Sequence, residues 1–505
     1  DAVTEGFYNI GIGPAAGGSI TTGDHNIAIG NGAFDAATTS GYTVAIGYLA
    51  LSAYTHAESS YNVAIGGSSI ASVKTSGRFN TYIGGYKNAA ADLTGEKNVW
   101  IGSYANQYGT DTDYTTLVGY EAGRYSTGSF NTFLGSEAGK GGTTSAPYSS
   151  GQYNVAVGYQ ALTSFTTTGG ITAIGSYALT ANTSGVNTAV GYQALKDSTS
   201  NTQNTALGYN AGQNLTANNN VAIGHQATDN GTSATGNVSV GYRALRYNVT
   251  GDYNIAIGHE TLQGASGQSH SDNVAIGHQA GKNITTATQN VLIGYQAATA
   301  FTNHQRNTII GYQAALSADG GENNNTIIGW QAGMSMNSND ASNNVIIGKE
   351  AGTGGTGTLA SAVIIGEGAM NSTANQASTG QVAVGRSALT ALTSGIGNTA
   401  IGYKAGQGIT TKNRNTIIGY EAVYSSSAND DLVVVGYKAG YNLNGDDHTG
   451  AVLIGSEAGY NLTNDHPAQQ GSMYIGYQAG YNYTTANTSM GIGFKALYGL
   501  YVGAN

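Results

Sequence analysis

Residues Asn307–Ala315 read NTIIGYQAA, and nearly the same phrase returns as NTIIGWQAG from Asn325, NTAIGYKAG from Asn398 and NVAVGYQAL from Asn154. Self-similarity at a short fixed period is the signature of a repeat architecture, so it is read before any local element. Aligned on the Gly that follows the aliphatic residue, the phrase occurs 28 times between Gly13 and Gly493. Of the 27 gaps, 25 are 16–19 residues long; the exceptions are 23 (Gly135 to Gly158) and 21 (Gly455 to Gly476).

Each column of the repeat has its own chemistry. The residue before the Gly is Ile, Val or Leu in all 28 copies, and two positions earlier stands Val, Ile or Thr in 26. Positions i and i+2 share one face of an extended strand, and β-branching there favours strand over helix. The phrase opens on Asn in 19 copies, and three residues after the Gly stands Ala in 25. Asn suits turns, and stacked amides form hydrogen-bonded ladders. A position that accepts a methyl group and little more reads as a tightly packed corner. Between phrases the chain is Thr, Ser, Gly and Asn, as in TANTSG from Thr180, which is turn chemistry. One repeat is therefore expected to be one coil of an all-β parallel β-solenoid, with two short strands and two turns. A single continuous domain of about 28 coils is expected over residues 1–505, less regular at 1–8 and 498–505. At about 4.8 Å per coil the stack would be a rod roughly 130–140 Å long.

This reading assigns the two aliphatic columns to the core, among them Ile310, Ile328, Ile347 and Ile365. The column between them then faces outward. It is Ala in 12 copies, Ile at Ile309, Ile327, Ile346 and Ile364, and aromatic at Trp100, Phe133 and Tyr474. An exposed apolar stripe of that length implies burial against another chain, so these residues are expected to form the interface of a homo-oligomer.

Composition narrows the function. The chain has 505 residues, 78 of them Gly, with 9% charged residues, 3 Pro, no Cys and a net charge of −10. Gly without a three-residue period and almost no Pro exclude collagen. The acidic balance disfavours nucleic acid and anionic membranes as partners. No apolar run is long enough for a membrane-spanning helix, and the absence of Cys removes disulfides and thiolate chemistry.

The pentapeptides NIAIG at Asn26 and NVAIG at Asn62 and Asn220 resemble the YadA-like head repeats of trimeric autotransporter adhesins. The longer form NTAIGYKAG at Asn398 is also similar to repeats of phage tail-fibre proteins. The resemblance runs from Asn9 to about Gly503, although the repeat here is longer than the usual head repeat. It implies a left-handed β-roll, three chains about one axis, and adhesion as the task.

Candidate chemistry is sparse. Glu121 and Glu137 each lie two residues after the repeat Gly in consecutive coils, which would place them about 5 Å apart, near the spacing of a retaining glycosidase. The same column holds Gln160, Gln193 and Gln313, so a polar column accounts for them equally well. Asp430, Asp446, Asp447, His448, Asp465 and His466 fall in turns of successive coils, where oxygen-rich convergence would suit Ca²⁺; solvated turns are the competing reading. His225, His259 and His278 follow the repeat Gly in a column that is Tyr in 12 copies. There they substitute for Tyr in an aromatic ladder, and the ladder either packs or presents rings to sugars. No nucleophile–base motif or dinucleotide fingerprint is present, and no cofactor beyond Ca²⁺ is indicated.

The expected function is a non-enzymatic extracellular fibre, on a cell or virion surface, in an adhesin or tail-fibre role. Its partners would be copies of itself and a host or cell-surface glycan or protein. The segments Lys140–Gln152 and Tyr460–Gly471, which break the period, are the expected contact loops. The alternatives are a filament or matrix protein assembling end to end through uncapped strand edges and, third, a glycan-cleaving tailspike.

Overall fold

The computed structural model describes residues 5–67, 76–85, 94–143, 148–318, 322–336, 341–354, 358–372, 378–425, 429–443, 448–462, 470–483 and 489–499. Two compact units form, Asp1–Thr250 and Gly251–Asn505. Each is a parallel β-solenoid, and no helix occurs among the described residues.

The first unit carries fourteen three-residue strands, from Ile10–Ile12 to Val238–Val240. Within the unit each pairs in parallel and in register with its neighbour one repeat along, for example Ile27 with Val44, Ala28 with Ala45 and Ile29 with Ile46. The second unit carries another fourteen, from Ile255–Ile257 to Met490–Ile492. Its pairings follow the same rule, as in Thr308 with Thr326, Ile309 with Ile327 and Ile310 with Ile328. Among the described residues a second strand per coil, expected from the sequence, is confined to two short ladders in the second unit: Leu359–Ala360, Ser378–Thr379 and Gly395–Ile396, and Asn442–Leu443 with Asn461–Leu462. Elsewhere the Thr/Ser/Gly/Asn segments form turns. These still bond coil to coil, as Leu162 N–H donates to the Ala178 carbonyl and Thr166 N–H to Thr183.

The assignment of faces is the reverse of the sequence expectation. Past the first strand the middle residue is inside: Ile309, Ile346, Ile364 and Phe133 are fully buried within the chain, and Ile327 and Trp100 are 1% exposed. They are core residues and not an interface. The expected core residues Ile310, Ile328, Ile347 and Ile365 lie on the outer face, only partly covered. The alternation itself is as read; its phase is set by the Asn. Asn26, Asn98, Asn154, Asn237, Asn307 and their equivalents are buried. With Asn inside, a period of two puts the next residue out, the middle one in and the pre-Gly aliphatic out.

Burial of so polar a side chain is tolerated because it is fully bonded. Asn26 Oδ1 accepts from Thr43 N–H (3.0 Å), while its Nδ2 donates to the Ser40 carbonyl across the coil (2.9 Å) and to Asn9 Oδ1 (3.0 Å). Asn307 bonds to Asn290 Oδ1 through both its backbone N–H (3.0 Å) and its Nδ2 (3.1 Å), and also donates to the Glu322 carbonyl (2.9 Å). Each rung thus ties its own strand to the opposite turn and to the previous coil. The remaining interior is narrow. The Ala three residues after the Gly, such as Ala314, Ala332 and Ala351, is buried against the middle column. Apolar residues of the far turns, including Phe165, Leu215, Phe301 and Leu392, close the other side.

The repeat Gly is required by geometry. Gly311 has φ +145°, and a Cβ there would lie 2.1 Å from the Gly329 carbonyl oxygen of the next coil. Backbone opposes backbone at this corner, so no side chain can rotate away. Gly311→Ala is expected to destabilise the second unit by about 3 kcal/mol or more, measured by denaturant unfolding. An effect below about 0.5 kcal/mol, the usual scale of a neutral surface change, would contradict the close stacking.

Candidate functional site

The first place where the period breaks is Lys140–Gln152, of which residues 144–147 lie outside the described residues. Beside it stand Glu121 and Glu137, and the structure brings them together through a lysine. Lys140 Nζ lies 2.6 Å from Glu121 Oε2 and 3.1 Å from Glu137 Oε2, and Arg124 Nη1 is 2.5 Å from Glu121 Oε1. Burial acts to raise the Glu121 carboxyl, but the hydrogen bond and charge of Lys140, with the charge of Arg124, outweigh it and hold the group below its ordinary value. A general acid of glycoside hydrolysis needs the opposite shift. The cluster is chemically a closed ion-pair network.

The column two residues after the Gly continues as a ladder. In the second unit Gln279 Nε2 donates to Glu260 Oε2 (2.9 Å), Gln296 to Gln279 (3.0 Å), Gln313 to Gln296 (3.0 Å) and Gln331 to Gln313 (2.9 Å). The preceding column stacks rings. His259 on His278, His278 on Tyr295 and Tyr295 on Tyr312 are each within about 5 Å and near parallel, at 5.0, 5.0 and 5.1 Å. In the first unit His225 is stacked between Tyr209 and Tyr242. The histidines therefore stand in for Tyr rungs. A third ladder, invisible as a column in the opening phrase, runs Tyr424–Tyr441–Tyr460–Tyr481–Tyr498 at 4.9–5.2 Å. These rungs pack ring on ring along the stack.

The expected Ca²⁺ residues divide. Asp446, Asp447, Asp465 and His466 lie outside the described residues. The Asp430 carboxylate accepts from Asn413 N–H (2.6 Å) and Asn413 Nδ2 (3.3 Å), and His448 is buried. Among the described residues no cluster of three or more His, Cys, Asp or Glu is placed to hold a metal. Of Tyr460–Gly471, residues 463–469 likewise lie outside them; Tyr460 is a rung of the third aromatic ladder.

What the sequence reading missed is the outer sheet face. Within each unit it presents two aliphatic columns, and Ile65, Leu134 and Leu207 in the first and Ile257, Ile276 and Ile418 in the second are 36–48% exposed. The signal was present, as the pre-Gly column that is always Ile, Val or Leu and the Val, Ile or Thr column two residues before it, but was assigned to the wrong side. Among the described residues no helix is long and apolar enough to cross a membrane. Comparison with known proteins matches no family model and finds no similar curated protein.

A buried titratable group was also unmarked in the sequence. His270, in the second unit, is 1% exposed, and desolvation pushes its imidazole down to about 4, outweighing the ring's hydrogen bond to the Leu262 backbone carbonyl, which acts the other way. The unfolded chain takes up this proton near pH 6.5. The stabilisation is therefore complete above that pH, declines as pH falls from about 6.5 to 4, and changes no further below. The loss is about 1.4 kcal/mol per pH unit, roughly 3 kcal/mol in all. His270→Asn is expected to flatten this part of the stability profile by about one proton, as read from denaturant melts between pH 7 and 4. An unchanged slope would contradict the neutral buried ring.

Proposed function

We propose that the chain is a non-enzymatic structural fibre element, working outside the cell or on a virion surface, that holds attachment surfaces on a stiff stack of coils. The observation that carries this reading is the coil-to-coil register. Strand, Asn, Gln and aromatic columns each repeat their own contacts with the next coil. Bending such a stack would strain several ladders at once. The ion-paired state of Glu121 and Glu137 supports a structural reading over a hydrolytic one.

The same reading makes the chain a homo-oligomer, with the two outer aliphatic columns as its lateral contact. A sheet face this apolar along its length exceeds what soluble monomers ordinarily expose. Three chains about one axis is the arrangement that the head-repeat resemblance implies. A role in adhesion or as a tail fibre follows from the same resemblance.

The purified chain is expected to have the mass of three chains by sedimentation or light scattering. Ile276→Lys with Ile418→Lys, both on the outer face, is expected to reduce that mass without lowering the unfolding free energy of the dissociated chain by more than about 1 kcal/mol. A monomeric wild type would overturn the lateral contact. Open-ended fibres in electron micrographs would favour the filament over the attachment fibre.

A further inference from the structure

The period breaks at Lys140–Gln152. Beside it the first unit has a groove of about 530 Å³ lined by Thr110, Thr127, Thr143, Tyr148, Ser150, Thr166 and Thr167. That volume falls within the range of small-molecule sites. No charged side chain is among the lining residues, so the chemistry is hydroxyls, methyl groups and one ring.

The hydroxyls are oriented. Thr127 Oγ1 donates to the Ser149 carbonyl (3.3 Å), and Thr166 Oγ1 donates to the Thr183 carbonyl (2.9 Å). Ser149 Oγ donates to the Phe165 carbonyl (2.8 Å), so its contact with Thr143 Oγ1 (3.1 Å) has Thr143 as donor. Three threonines thus spend their protons on the solenoid and retain oxygen lone pairs as acceptors. Tyr148 is held by other rings, 5.2 Å from Tyr108 and 6.1 Å from Tyr125, which themselves stack at 5.2 Å. Unlike the ladder rings, it belongs to the insertion and also lines a groove.

We infer that this groove is a binding site for a neutral oligosaccharide. A pyranose offers hydroxyl donors along its edge and a C–H face. The edge suits acceptor oxygens, and the face suits an aromatic ring and threonine methyls. An anionic or cationic ligand would find no countercharge among these residues. The inference rests on the attachment reading above and names the ligand class for it.

The test uses the purified full chain on an array of neutral and acidic glycans, followed by calorimetry with the best neutral ligand. Wild type is expected to bind neutral glycans. Tyr148→Ala, and separately Thr127→Val with Thr166→Val, are expected to weaken binding at least tenfold while the chain still folds, with a lowered but cooperative thermal transition. Tyr242→Ala, in a ladder of the same unit, is expected to bind as wild type. The threonine pair keeps the proposal testable if Tyr148→Ala fails to fold. No neutral-glycan binding, binding of acidic glycans alone, or variants that bind as wild type would each overturn the site. Attachment of the wild-type chain to cells, assayed in parallel, separates the two claims: if it persists where the glycan result fails, only the groove is lost.

Discussion

The fold depends on a buried amide. An Asn side chain inside a coil must find partners for one acceptor and two donors, and an unsatisfied buried polar group costs about 1–3 kcal/mol. The stacked solenoid supplies those partners: the next coil's N–H above, the previous coil's oxygen below and the far turn's carbonyl across. No single coil could do so, which is why the motif has meaning only in series. The amide fixes which strand residues point inward, how far the opposite turn stands from the strand, and the coil-to-coil register.

A narrow interior follows. The middle strand position and the Ala after the Gly are both buried, so a small middle residue is common, and Phe133 fits where Gly139 has no side chain: a Cβ there would lie 2.4 Å from the Phe133 ring. The corner between strand and turn brings one backbone against the next, so only Gly is accepted there. The outer face is left with the most regular aliphatic columns in the chain, and side chains beyond the corner have little choice but to stack on their own copies. The Gln, Tyr and His ladders are consequences of that register. Chemistry is expected where a repeat cannot stack on its neighbour, as at the insertion after Glu137.

Much of the architecture was legible in the sequence. The period, the parallel register, the strand at the aliphatic–Gly phrase and the tight corners all follow from columns of residue types. The phase was not. Ile310 is a better hydrophobe by neighbourhood than Ala28 or Ala45, so hydropathy pointed the aliphatic pair inward, whereas the cost of an unpaired Asn amide decided it the other way. Sequence also overestimated strand content, because Thr- and Ser-rich turns bond between coils without forming regular strands. The groove at Thr127 and Thr166 left no sequence signal beyond the extra residues, since threonine is common throughout and only geometry orients these hydroxyls. The buried His270 was equally silent.

The phase of the strand is open to direct chemical measurement, because the chain contains no Cys. Single cysteines placed at 309 and at 310 can be reacted with a maleimide in protein carrying the two outer-face lysines, so that association does not mask either thiol. The account predicts that Cys at 310 reacts within about tenfold of a free thiol while Cys at 309 reacts only on unfolding, a protection set by burial. Rapid labelling at 309 with protection at 310 would put the aliphatic pair back in the core and contradict it.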